Sequence, residues 1–150
     1  MSLKRIFFLM MLLILGLSSL RLVCAKPRQE QPKIWAAIGV NKPLFRAGEI
    51  REDKDLLLYF IVVNDGSSAI NPKFDSSKLV VNGSEPADLN NGVFGSGLRS
   101  TYDSALPPGK SLEHVYGIGE RFKKPGVYKI VWKGEEFETL PIVFRIMPSE

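Results

Sequence analysis

Residues 56–64, LLLYFIVVN, limit the possible folds more than any other stretch of the chain. Both alternating sets are apolar: Leu56, Leu58, Phe60 and Val62 on one, Leu57, Tyr59, Ile61 and Val63 on the other. At about nine residues the run is too short to cross a bilayer as a helix. Its β-branched and aromatic content reads as a central β-strand covered on both faces. Asn64-Asp65-Gly66 then supplies turn chemistry.

The domain built on that strand is expected to begin well inside the chain. Lys4 and Arg5 precede an apolar run over residues 6–17, and Val23 and Ala25 are small enough to flank a cleavage point. These are the parts of a signal peptide, so residues 1–25 are expected to be removed after Ala25. Export to a periplasm or to the outside follows. Contact with a membrane is expected only through this leader, were it retained. Cys24 is a poor lipidation site, because Val23 stands where a small residue is wanted. It is the one cysteine of the chain, so the mature protein is expected to have no disulfide and no Cys-based metal site or nucleophile.

Charge excludes another class of partner. Lys4, Arg5 and Arg21 leave with the leader, so 17 of the 20 basic side chains remain against 16 acidic ones. A nearly neutral domain gives no case for nucleic acid.

Residues 26–33, KPRQEQPK, read as a flexible leader and 34–148 as the domain. Strands are expected at 34–40, at a kinked edge segment 44–46 after Pro43, at 56–64, 77–81, 112–118 and 127–132, and at 137–147 bent at Pro141. Asn82-Gly83 favours a type I′ hairpin turn. Asn82-Gly83-Ser84 is also a glycosylation sequon, relevant only in a eukaryotic secretory pathway. No amphipathic helix is visible in the mature chain. Trp35 and Trp132 sit inside strand patterns and are expected in the core or half-buried. About seven strands at this spacing predict an all-β fold.

Between the strands, residues 84–105 lose regular pattern and read as a long loop, of a length that is usually functional or disordered. Phe94, Arg99 and Tyr102 within it are the residue types that anchor interfaces, and are the candidate binding residues. Packing of Phe94 and Tyr102 against the domain to pin the loop is the plainer reading of the same residues.

Catalytic and metal chemistry find little support. The single histidine, His114, falls on a strand face, and no Gly-x-Ser-x-Gly elbow is present. One histidine is too few for a transition-metal site, and Asp88-Leu89-Asn90-Asn91-Gly92 departs from a calcium loop in spacing and in its closing Glu. Arg121, Lys123 and Lys124 have Glu113, Glu120, Glu135 and Glu136 to neutralise them. No enzyme activity, metal or cofactor is expected.

The closing strand carries a resemblance. Pro125-Gly126-Val127-Tyr128-Lys129-Ile130 resembles strand F of immunoglobulin-like folds, where a tyrosine hydroxyl bonds back to the upstream chain. Arg46-Ala47-Gly48-Glu49 ending an edge strand, a hydrophobic strand ending in Asn64, and the turn Leu106-Pro107-Pro108-Gly109 look like bacterial immunoglobulin-like domains. The resemblance implies an antiparallel β-sandwich with Tyr128 as its structural corner. The inter-sheet cysteines and the tryptophan beside them are absent, so an antibody-type domain is not implied. Small proteinase inhibitors share this shape. Two functions are therefore expected from the resemblance and the loop. One is a non-catalytic binding or structural domain for an unknown protein or glycan. The other is inhibition of a secreted proteinase by the 84–105 loop.

Overall fold

A computed structural model describes residues 34–95 and 101–149. The expected signal peptide, the 26–33 leader and Arg99 lie outside the described residues. The fold is all-β apart from one short helix. In chain order the elements are β1 (Ile34–Val40), β2 (Leu44–Arg46), β3 (Leu57–Asn64), β4 (Lys78–Val81), α1 (Ala87–Phe94), β5 (Ser111–Gly117), β6 (Gly126–Lys133) and β7 (Ile142–Met147). They form a three-stranded sheet, β1-β3-β5, and a four-stranded sheet, β2-β7-β6-β4.

Every strand pair is antiparallel except β2 with β7, which is parallel. The wholly antiparallel expectation is corrected there. The chain breaks after β1 at residues 41–43, where Pro43 has no N–H to donate, and re-enters on the other sheet. The Pro43 carbonyl instead accepts from Arg145 N–H at 3.0 Å.

The inner faces of both sheets meet in one apolar cluster. Phe60 is its hub. It makes edge-on ring contacts with Trp132 of the opposite sheet at 5.0 Å, with Phe74 at 5.7 Å, with Tyr116 at 5.7 Å and with Phe94 of α1 at 5.8 Å. Each such pair contributes about 0.5–1.5 kcal/mol beyond area burial.

The expectation that the 56–64 strand is covered on both faces is corrected. Leu58, Phe60 and Val62 are buried, whereas Tyr59 and Ile61 are exposed. Three strands can bury one face against the opposite sheet, and no described element packs on the other. An apolar run over both parities looks the same whether its second face is covered by the fold or left open.

Two turns are built as their residues dictate. Asn82 and Gly83 have φ of 49° and 85°, both positive as a two-residue I′ turn requires. The Asn82 side chain then ties the turn to β6, accepting from Lys129 N–H at 2.8 Å and donating to the Val127 carbonyl at 3.1 Å. At the end of β3, the buried Asn64 amide donates to the Ser68 and Leu106 carbonyls at 2.8 and 2.9 Å, so its burial costs little.

The expected structureless connection 84–105 is also corrected, and with it the absence of a helix. Residues Ala87–Phe94 form α1, with Asp88 in its favourable first turn and Leu89, Val93 and Phe94 buried. Asn90, Asn91 and Gly92 are poor helix formers, so burial of the apolar residues and tertiary bonds outweigh local propensity.

Candidate interaction face

The open face of the β1-β3-β5 sheet follows from strand alternation. Residues 35, 37 and 39 of β1, 59, 61 and 63 of β3, and 113 and 115 of β5 share a parity opposite to the core residues. The register places them in rows: Trp35 beside Val63, Ala37 beside Ile61 beside Glu113, and Gly39 beside Tyr59 beside Val115. Trp35 is 56% exposed, Val115 53%, and Tyr59 and Ile61 38% each. Trp35 is thus corrected from core to surface, while Trp132 is fully buried as expected.

Glu113 is the one charged residue in those rows. The outward parity of the other sheet is different in kind: Lys78, Lys129, Lys133 and Arg145 alternate there with Val80, Val127, Val131 and Val143. Interspersed charge suits a face kept in water. A contiguous apolar face is the signature of a contact surface.

Phe94 and Tyr102, singled out from the sequence, lie elsewhere. Phe94 is 3% exposed and packs on Phe74 at 5.1 Å, so it is a core residue and is not displayed. Tyr102 is at the surface on the short 3-10 turn Thr101–Asp103. The structure does not gather Phe94 and Tyr102 into a surface patch. Tyr128 donates its hydroxyl to the Lys124 carbonyl at 2.7 Å, with its ring stacked on Phe144 and edge-on to Phe122. Partial burial raises its phenol above the ordinary value.

His114 points inward from β5. Its Nε2 lies 2.7 Å from Asp103 Oδ1, and its ring is 4.5 Å from Phe74. Asp103 is buried, so the pair closes the seam between β5 and the 101–106 chain. Among the described residues no serine hydroxyl bonds this imidazole, and no three His, Cys, Asp or Glu side chains converge as metal ligands. The basic cluster is met by acid: Arg121 faces Asp53 at 3.8 Å and Lys123 faces Glu120 at 3.2 Å. No helix among the described residues is long and apolar enough to cross a membrane.

The chain matches no protein-family model and no curated protein.

The open face was within reach of the sequence. Its signal is the second apolar parity of 57, 59, 61 and 63, together with Trp35 on the alternate parity of β1. What the sequence lacks is any mark of whether a second layer covers that parity.

Proposed function

We propose that this chain is an exported, non-catalytic, immunoglobulin-like β-sandwich domain that binds a protein partner through the open face of its three-stranded sheet. The observation that carries the reading is the contiguous exposure of Trp35, Tyr59, Ile61 and Val115 on one face. The strand orders β1-β3-β5 and β2-β7-β6-β4 and the Tyr128–Lys124 bond support the immunoglobulin-like reading. Aliphatic Ile61 between the rows of Trp35 and Tyr59, with Val115 on the far side of Tyr59, suits a protein contact better than a sugar-stacking platform, which wants polar groups around its rings.

A photo-crosslinking residue in place of Ile61, introduced into the full chain in its own exporting cell, tests this. A discrete adduct with one protein is expected at position 61 and not at position 129, on the opposite sheet. Equal and diffuse labelling at both positions would sink the reading.

A further inference from the structure

We propose that the free edge of β1 accepts an extended peptide segment carrying basic residues, which adds a fourth strand to the β1-β3-β5 sheet. The inference rests on the binding reading above and names the kind of partner and how it is held.

The edge is defined by hydrogen-bond parity. Asn41 N–H donates to the Leu57 carbonyl at 3.2 Å. In an antiparallel pair this turns the main-chain groups of residues 35, 37 and 39 toward β3. It turns those of Ile34, Ala36, Ile38 and Val40 away. None of these four residues enters a further main-chain bond among the described residues. The strand IWAAIGV is seven residues long, uncharged, and paired with β3 in unbroken register. Native proteins block such edges with charge, proline, a bulge or a cover.

The other edges are blocked in those ways. The β4 edge is met by the Asn90 side chain, which bonds both main-chain groups of Leu79. The β2 strand has three residues and follows Pro43. The β5 strand carries Glu113 and His114. Among the described residues, the β1 edge alone has none of these features.

Beside that edge lies a groove of about 350 Å³, between residues 34–36 and the 136–140 chain that joins β6 to β7. Trp35 and Leu140 give it apolar walls, and Leu140 is 87% exposed. Glu136 and Glu138 supply carboxylates on one side, with Glu138 also held by Lys133 at 3.0 Å. Main-chain groups on the edge would give affinity, and the groove would select alternate side chains. An apolar side chain suits the space between Trp35 and Leu140. A lysine or arginine on the same segment suits the two carboxylates.

The test uses the full exported chain and a labelled peptide of about ten residues alternating valine with lysine. Fluorescence anisotropy should show saturable binding. The counterpart with glutamate for lysine should bind at least about tenfold more weakly. Methylating every second peptide nitrogen on the bonding side should abolish binding. Ala36→Pro removes an outward N–H on an edge strand, where proline is tolerated, and should also abolish it. The double variant Glu136→Lys, Glu138→Lys has exposed substitutions, and should reverse the charge preference with the fold intact. Absence of binding, or binding indifferent to nitrogen methylation, overturns the inference. Self-association through β1 with the peptide left unbound also overturns it, making a second copy the occupant. Peptide binding lost on Ile61→Lys but kept on Ala36→Pro places the peptide on the open face. In that case the edge inference falls and the face reading stands.

Discussion

The side-chain amide of Asn90 pairs with both main-chain groups of Leu79: Leu79 N–H donates to Asn90 Oδ1 at 2.6 Å, and Asn90 Nδ2 donates to the Leu79 carbonyl at 3.2 Å. One side chain on α1 thereby does for β4 what a neighbouring strand would do. Asn90→Ala leaves two partly buried main-chain groups without these partners, at a cost of about 1–3 kcal/mol. Urea unfolding should show a lower midpoint with an unchanged slope, and the Leu79 amide should exchange faster. An unaltered midpoint would mean water replaces the amide without loss.

Removal of residues 90–97 follows from the same contact. A flexible loop would tolerate the deletion, because loop length costs little. Here the deletion takes away Asn90, Val93 and Phe94, of which the last two are buried. Phe94→Ala alone is expected to cost about 3–5 kcal/mol. The deletion product is expected to lose its cooperative thermal transition. A folded deletion product of native stability would show that α1 contributes nothing to the core.

These two outcomes mark where the sequence was legible. Strand positions followed from alternation and turn chemistry, because residues such as Val127, Ile130 and Trp132 leave few other ways to bury a core face. Helix α1 did not, because Asn90-Asn91-Gly92 has loop propensity and is ordered by contacts distant in sequence. The candidate site was legible in the wrong place. Phe94 looked like an anchor by residue type, but its neighbours Phe74 and Phe60 claim it for the core. Tyr59 and Ile61 looked like core by hydrophobicity, and topology leaves them outside.

Tyr128→Phe deletes the hydroxyl that donates to the Lys124 carbonyl and keeps the ring against Phe122 and Phe144. The bond lies at the surface, so the expected loss sits near the low end, about 0.5–1 kcal/mol. Tyr128→Ala removes the ring contacts as well and should cost more. Equal thermal stability of the Phe variant and the parent would show that this bond is exchanged freely with water.

Acid should weaken the hold on the 50–55 segment. Asp55 Oδ2 accepts from Glu52 N–H at 2.8 Å and from Arg51 N–H at 2.9 Å. These two donors, that of Glu52 foremost, hold its carboxyl below the ordinary value of 3.8. A depressed folded value means the stabilisation is present above the unfolded value and is lost as pH falls through the folded one. Asp55→Asn keeps an acceptor and removes the titration. The stability gap between parent and variant should therefore be steady near about pH 6 and shrink below about pH 4. A gap that stays constant to lower pH would show that Asp55 has the same affinity for protons folded and unfolded.

The Asp103–His114 pair joins the 101–106 chain to β5 at a site where both side chains are largely removed from solvent. With the carboxylate ionised, Nε2 carries the proton and donates it, which makes this a charge-assisted bond. His114→Phe preserves ring volume beside Phe74 but leaves the Asp103 carboxylate without this donor, at an expected cost of about 1.5–3 kcal/mol. The double variant Asp103→Leu, His114→Phe removes both polar partners, and apolar replacement of a buried pair is often close to neutral. A double-mutant cycle measured by denaturant unfolding should therefore show a positive coupling, the two single losses summing to more than the loss in the double variant. Additive losses would mean that the two groups are held by separate partners and that their approach contributes nothing to closing the seam.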